Sequence, residues 1–164
     1  MLTILESLPR LPLTDKSMLS LLYKKIVLQI NDNIEASDKL KTLAWELENI
    51  IEEATLNLWG NYEFNLQWDP ALYLKAFAFQ PDSELKNSLL DNCIRLFGLC
   101  TDISFDKAIV LINAKSFFSE SELTELFSQA FFFGISLLLL ESWHDETSYE
   151  LERKTHIDRD FVEF

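Results

Sequence analysis

The stretch KAIVLINAKSFFSESELTELFSQAFFFGISLLLLE, residues 107–141, decides the fold class. Its first segment, AIVLI (108–112), is continuously apolar, which is typical of a strand covered on both faces. Ser119 and Glu122 then have the spacing of a capping box that opens an amphipathic helix. The run ISLLLL (135–140) predicts another fully buried strand. One helix between two strands with short loops predicts a right-handed crossover and a parallel sheet.

Helices are predicted for most of the chain that precedes this stretch. Apolar residues recur at three- and four-residue spacings over 15–31, 37–59 and 83–99, and Pro70 opens a shorter helix. Ser37 is the expected N-cap of the longest helix and Gly60 its expected end. The segment YEFNLQW (62–68) fits a short strand or an extended hinge.

The first residues, MLTIL (1–5), predict a short strand that we expect to share one sheet with the strands of the final third. The fold class is therefore α/β, a parallel-sheet head with an inserted helical arm. The predicted head comprises residues 1–14 and 101–164, and the predicted arm comprises residues 15–100.

Composition and charge restrict the function. The chain has 164 residues, of which 48% are apolar and 13% aromatic, enough for one sizeable core. The net charge of −13 argues against a surface that is basic as a whole, and so against nucleic acid as a partner. The acids are concentrated in residues 119–164, which hold eleven acids and three bases, so a local basic strip elsewhere stays open.

The location that we expect is the cytoplasm. Cys93 and Cys100 lie seven residues apart in one predicted helix, about 10 Å apart and too far for a disulfide. No secretory signal is visible at the N-terminus. The longest apolar run, residues 130–140, is too short to span a bilayer.

The predicted sheet has the frame of a nucleotide site without its chemistry. Ligands of open parallel sheets bind at the carboxyl ends of the strands, which here carry Asn113, Lys115, Glu141 and Ser142. The chain has neither GxxxxGK[ST] nor GxGxxG, the loops that hold phosphate. The segment ESWHDE (141–146) can be interpreted as metal ligands of a nuclease or NTPase, or as a polar loop, and we favour the loop.

Three motifs in order resemble the CRISPR-associated Csn-two family of type II-A systems. The first is IVLINAKSFFSESEL, an apolar strand followed by Asn and a capped acidic helix; the second is ISLLLLE, a strand that ends in Leu-Glu. The third is the tail HIDRDFVEF, an Asp-x-Asp-aromatic ending. MLTIL, the helical arm and the LQWD hinge also follow the family's order, so the resemblance spans nearly the whole chain.

The resemblance implies a non-catalytic protein whose head is like a degenerate P-loop NTPase fold. Family members form a homotetrameric ring that binds the ends of linear double-stranded DNA through a lysine-lined hole. They act in spacer acquisition, the adaptation step of antiviral defence, with the CRISPR integrase complex and the effector nuclease as partners. They also bind calcium at carboxylates near the hinge of the arm.

Two departures from the family pattern bear on assembly and on calcium. The family begins with further β-strands before the one matched by MLTIL, so we interpret the sequence either as a short member or as an N-terminal truncation. Without those strands a sheet edge or head surface would be uncovered, which puts ring assembly in doubt. The hinge YEFNLQWDP keeps only Glu63 and Asp69 as carboxylates. Because calcium takes about six to eight oxygen ligands, we expect its affinity to be reduced or lost.

Five lysines are the candidates for DNA contact: Lys24, Lys25, Lys39, Lys41 and Lys115. Phosphate binding requires lysines on one accessible face, and a ring repeats each position four times. The alternative for each is an ordinary solvated lysine. No aromatic platform alternates with them, which favours binding that is independent of sequence. The competing hypothesis for the whole chain is an acidic helical protein-interaction module that binds no DNA.

Overall fold

The structure is a computed structural model and describes residues 3–5, 13, 15–63, 69–82, 88–143 and 146–157. Within these residues the strands are β1 (Thr3–Leu5), β2 (Ile109–Ile112) and β3 (Leu137–Leu140). The helices there are α1 (Lys16–Asp32), α2 (Ile34–Thr55), α3 (Pro70–Ala76), α4 (Leu89–Asp102) and α5 (Glu120–Phe132). The predicted mixed α/β class is therefore confirmed.

The three described strands form one parallel sheet in the order β1-β2-β3. Ile4 is level with Val110, and Val110 with Leu138. The start of the chain thus shares a sheet with the final third, as predicted. The central strand β2 buries Ile109, Val110 and Leu111, which explains its continuous run of apolar residues.

The helix α5, between β2 and β3, is capped at both ends by hydrogen bonds whose residues can be recognised in the sequence. The Ser119 hydroxyl accepts the Glu122 N–H at 3.4 Å, and the Ser119 N–H donates to Glu122 Oε2 at 2.8 Å. This is the predicted capping box. At the other end Gly134 has φ +66°, and the next N–H, of Ile135, donates to the Ala130 carbonyl at 2.8 Å. The positive φ of Gly134 and this hydrogen bond form a Schellman motif, which ends α5 and directs the chain into β3.

The prediction that β3 is fully buried is wrong for one of its faces. Leu138 and Leu140 are exposed, whereas Leu137 and Leu139 are half-buried. In the described part of the chain, β3 pairs with β2 on one side and lies at the edge of the sheet. An apolar run alone does not reveal that only one face of a strand is covered.

The chain divides into two compact units, Met1–Met18 with Pro81–Phe164, and Leu19–Gln80. The predicted arm of residues 15–100 included α4, but α4 belongs to the unit that holds the sheet and packs against α5. The helix buries Cys93, Leu96, Phe97 and Cys100, four of the most buried side chains of the core.

The longest helix, α2, differs from its prediction at both ends. Its N-cap is Asn33, whose side chain accepts the Ala36 N–H at 3.0 Å, and Ser37 lies one turn inside the helix. The cause is local: Asn33 is itself extended (φ −100°, ψ 95°), and amide side chains cap as well as hydroxyls. The helix ends at Thr55 rather than near Gly60.

The unit of residues 19–80 also holds α3, which begins at Pro70 as predicted, with Asp69 as its N-cap. The Tyr23 hydroxyl of α1 donates to the Phe79 carbonyl at 2.7 Å and ties the end of α3 to α1. Most of the predicted strand or hinge, residues 64–68, lies outside the described residues, as does the Asp-x-Asp-aromatic tail.

Candidate functional site

Polar side chains meet where β2 and β3 end, as the strand-end argument predicts. The Asn113 side-chain oxygen accepts the Ser142 N–H at 3.1 Å, and the Asn113 N–H donates to the Leu140 carbonyl at 2.8 Å. Asn113 adopts the left-handed conformation (φ 52°), which a short amide side chain tolerates better than most. Asparagine at this position therefore turns the chain out of β2 and joins the two strand ends.

Lys115 lies in this cluster and is buried, with 4% of its side chain exposed. Its Nζ is 2.5 Å from Glu152 Oε1 and 5.2 Å from the centre of the Tyr149 ring. Its backbone N–H donates to Glu141 Oε1 at 3.1 Å. An ammonium group in a buried ion pair is not presented to solvent, so Lys115 differs from the other four DNA-contact candidates.

The loop after β2 uses its backbone donors within the protein. The Asn113 N–H bonds the Leu140 carbonyl, the Lys115 N–H bonds Glu141, and the Ser116 and Phe117 N–H groups bond carbonyls of the same loop. A phosphate cradle consists of backbone N–H groups that point at the ligand. Binding of phosphate by these four groups would require their present hydrogen bonds to break.

Two carboxylates contribute buried oxygens to the cluster. Glu141 Oε2 and Glu152 Oε2 are buried and have no hydrogen-bond partner, although Lys154 Nζ lies 3.6 Å from the second of them. The metal hypothesis for ESWHDE also involved His144 and Asp145, which lie outside the described residues. Among the described residues, no group of three or more His, Cys, Asp or Glu side chains could hold a metal ion.

The residues that sequence reasoning missed are the partners of Lys115. Glu152 lies 37 positions further along the chain, and Tyr149 stands edge-on to the Phe127 ring of α5 at 5.4 Å. No local pattern signals this ion pair, because the segment that carries Glu152 has no helical or strand period. Only the path of the chain after β3 brings the two charges together.

The remaining lysine candidates lie on α1 and α2, in the unit of residues 19–80. Lys24, Lys39 and Lys41 are exposed, and Lys25 is half-buried. Lys41 Nζ is 3.4 Å from Asp38 Oδ1, a pair in which both side chains are more than half exposed. Because surface pairs of this kind contribute little free energy, Lys41 can exchange Asp38 for another anion.

The hinge carboxylates predicted for calcium are few and are only partly available. Glu63 is exposed, and Asp69 uses its Oδ1 to accept the Ala71 N–H at 2.9 Å, which caps α3. Two carboxylates, one of them already engaged, fall short of the six to eight oxygens that calcium takes. The described residues therefore do not fit a calcium site.

The two thiols of the head do not have the properties of reactive cysteines. Burial raises the pKa of Cys93 to about 12 and that of Cys100 to about 11. Reactive thiols instead have a lowered pKa and lie close to positive charge. Both residues serve as apolar positions of α4.

A groove of about 840 Å³ runs beside β3 in the same unit. Its walls include Phe131 of α5, Leu138 and Leu140 of β3, and Trp143 after it, all of them exposed. The groove is continuous with the cluster at the strand ends, since Lys115 and Glu152 also line it.

The comparisons with known proteins identify one family. A family model described as CRISPR-associated protein (Cas_Csn2) matches residues 2–161, almost the whole chain. No curated protein shows significant similarity to the chain. Among the described residues, no helix is long and apolar enough to cross a membrane.

Proposed function

Since the chain belongs to the CRISPR-associated Csn2 family, we propose that it is a non-catalytic protein that binds the ends of double-stranded DNA during spacer acquisition. In this proposal it works in the cytoplasm as a homotetrameric ring, together with the integrase complex and the effector nuclease of its system. The head is a relative of P-loop NTPase folds that has lost phosphate binding.

The observation that carries the proposal is the accessibility of lysines on the arm helices. Lys24 on α1 and Lys39 and Lys41 on α2 are exposed, so their ammonium groups can reach phosphates that approach these helices. Lys115 is excluded from this set by its buried ion pair with Glu152. Contacts of this kind read the DNA backbone and not the bases.

The loop after β2 supports the non-catalytic part of the proposal. Its Asn113, Lys115, Ser116 and Phe117 N–H groups donate to protein acceptors, so a nucleotide bound there would have to displace these hydrogen bonds. The Glu141 carboxylate, which a nuclease or NTPase mechanism would need, accepts a hydrogen bond from the Lys115 N–H.

Calcium enters the proposal only through the family, because Glu63 and Asp69 do not make up a site by themselves. A ligand that binds only the folded state raises its melting temperature. We propose that calcium affinity is reduced or lost in this chain, so millimolar calcium should leave the melting temperature of the wild type nearly unchanged. A rise in melting temperature with calcium that Glu63→Gln does not show would contradict this expectation and return the metal to the proposal.

The test of DNA binding is a gel-shift titration with linear and covalently closed circular duplex of equal length, across a salt series. We expect retention of the linear form alone. For each phosphate neutralised, the logarithm of the affinity should fall by about 0.9 for every tenfold rise in salt concentration. Lys24→Ala with Lys25→Ala should weaken binding. Lys75→Ala, at an exposed lysine of α3 in the same unit, is the matched control.

Each other result of the titration has a defined meaning. Equal retention of linear and circular duplex would contradict a closed ring and indicate an open basic surface. Retention that does not depend on salt would contradict phosphate contact by lysines. Absence of binding to either duplex would replace the proposal with the interaction module.

The interaction module remains the second candidate because the arm exposes large aromatic side chains. Trp45 on α2 and Trp59 after it are both well exposed, and so are Leu56 and Phe77. Apolar surface on this scale is typical of contact with another protein. A chain that stays monomeric and ignores DNA, yet binds a CRISPR effector protein in a pull-down with purified components, would favour this alternative.

A further inference from the structure

The groove of about 840 Å³ beside β3 is lined by large apolar side chains that remain exposed. Phe131, near the end of α5, is 76% exposed, and Trp143, after β3, is 50% exposed. Exposed aliphatic side chains complete this part of the lining: Leu138, Leu140, Leu151 and Ile157. Exposed apolar patches of this kind are typical of sites that bind a partner.

The leucines on the exposed face of β3 match the repeat of an extended chain. Leu138 and Leu140 lie two residues apart, and exposure alternates along the strand, so both side chains belong to one face. Side chains on one face of a strand are about 7 Å apart. An extended peptide in which apolar residues alternate with polar ones has the same spacing and can pack against both leucines.

The exposed charges of the groove are basic, although the surrounding sequence is acidic. Residues 119–164 contain eleven acids and three bases, and two of these bases, Arg153 and Lys154, are exposed in the lining of the groove. The two acids of the lining, Glu141 and Glu152, are less exposed, and Glu152 is already in an ion pair. Charge complementarity therefore favours a partner that carries carboxylates.

We propose that the groove beside β3 binds an acidic, leucine-rich or aromatic segment of another protein in an extended conformation. The apolar side chains of that segment pack on Leu138, Leu140 and Phe131, and its carboxylates lie beside Arg153. Nucleic acid is disfavoured as the occupant, because leucine side chains offer no ring on which a base can stack and acids predominate in residues 119–164. The inference goes beyond the proposed function, which assigns no DNA contact to this groove.

The probe is a fluorescein-labelled heptapeptide in which leucine alternates with aspartate. Fluorescence anisotropy with the whole chain, in the absence of DNA, measures its affinity. We expect saturable binding, and binding at least about tenfold weaker when lysine replaces aspartate in the peptide. A peptide with serine in place of leucine should also bind at least about tenfold more weakly, because it has no apolar side chains to bury. Equal binding of the aspartate and lysine peptides would overturn the proposal.

Phe131→Ala and Phe132→Ala are a matched pair of variants for locating the peptide. The two side chains are 76% and 78% exposed at the end of α5, but Phe131 lines the groove and Phe132 does not. We expect Phe131→Ala to weaken binding of the aspartate peptide about tenfold and Phe132→Ala to leave it unchanged. Both positions are on the surface, so neither substitution should prevent folding. Equal affinities of the two variants would place the peptide elsewhere and overturn the proposal.

Arg153→Glu tests the charge of the groove at an exposed position. It should weaken binding of the aspartate peptide about tenfold and strengthen binding of the lysine peptide. Lys16→Glu, an equal charge change at an exposed lysine outside the groove, should alter neither affinity. An aspartate peptide that binds Arg153→Glu as tightly as the wild type would contradict the assigned charge contact and overturn the proposal.

Three results would assign the groove to a different occupant and overturn the proposal. If the peptide binds only after Phe161→Ser and Phe164→Ser, the chain's own acidic and aromatic tail, residues 158–164, is the occupant. If it binds only when the protein is diluted to its monomer, a second copy is the occupant. If labelled oligothymidylate competes with the peptide and Trp143→Ala weakens its binding, the groove binds single-stranded nucleic acid.

The gel shift of linear duplex on the same samples separates this inference from the proposed function. A chain that binds the aspartate peptide through Phe131 and Arg153 but retains no duplex would contradict the proposed function and leave the groove assigned. A chain that retains linear duplex but binds no peptide would overturn the inference and leave DNA binding standing.

Discussion

Removal of the Lys115 ammonium group should destabilise the head and leave the proposed DNA binding by the arm lysines unchanged. In Lys115→Met a side chain of similar length and apolar character occupies a site where only 4% of the lysine is exposed. Glu152, itself 12% exposed, then keeps the more distant Lys154, whose Nζ is 3.6 Å from Oε2. Loss of Lys115 leaves the buried Glu152 carboxylate with Lys154 as a weaker and more distant counter-charge.

The expected loss follows from the burial of the pair. Breaking a buried ion pair on one side costs about 3–5 kcal/mol, and the proximity of Lys154 to Glu152 places this case near about 3 kcal/mol. With a urea m-value of about 2 kcal/mol per molar, the midpoint of unfolding should fall by about 1.5 M. Urea titration followed by circular dichroism, at one fixed protein concentration, measures this shift.

The matched control replaces both charges. Lys115→Met with Glu152→Leu removes both buried charges, and Lys154, 34% exposed, can be solvated instead. The double variant should restore the urea midpoint to within about 0.5 M of the wild type, since apolar replacements of buried pairs are often neutral. A single variant as stable as the wild type would refute the view that the pair is buried and essential to the head. A folded Lys115→Met that has lost salt-sensitive DNA binding would return Lys115 to the DNA interface.

Further predictions concern single positions in the head. Gly134→Ala should destabilise by about 1 kcal/mol because of its positive φ, whereas Gly98→Ala, in α4 with only ordinary contact to a new Cβ, should be neutral or stabilising. Cys93 and Cys100, whose pKa values burial raises, should not react with a thiol reagent at about pH 8 until urea unfolds the protein. Hydrogen bonds from the N-cap serine of α5 lower the pKa of Glu122, so its contribution to stability is present above the unfolded pKa and lost as pH falls through the folded pKa. Thermal melts of Glu122→Gln and wild type should therefore converge in acid.

Elements fixed by local chemistry were predictable from the sequence. The capping box at Ser119 and Glu122 works through hydrogen bonds three residues apart, so its signal is complete within one turn. The uninterrupted apolar run of β2 likewise reflects its central place in the sheet. The N-cap is harder to predict where two suitable residues lie close together in the sequence. Asn33, rather than the predicted Ser37, is the N-cap of α2.

Features that depend on the path of the chain could not be predicted. One face of β3 is exposed because nothing in the described structure covers that side of the strand. The sequence of four consecutive leucines is the same whether one face or both are covered, so it does not predict the exposed face. The arm lysines could be identified as accessible only from helix geometry, since each is an ordinary lysine in the sequence. In the sequence Lys115 does not differ from the arm lysines, and only the structure shows that Glu152 and Tyr149 surround its ammonium group.

The ends of β2 and β3 lie where ligands of open parallel sheets bind, and here the protein's own groups occupy that place. In a phosphate-binding loop, glycine leaves the backbone N–H groups free to face the ligand. Here Asn113 takes the left-handed conformation that glycine would otherwise supply, and its side chain closes the loop onto Ser142. Two residues later, the Lys115 ammonium group forms an ion pair with Glu152. This carboxylate therefore takes the position in which an anionic ligand would pair with the lysine. The cluster therefore stabilises the head, and the exposed lysines of the proposed DNA contact lie on α1 and α2.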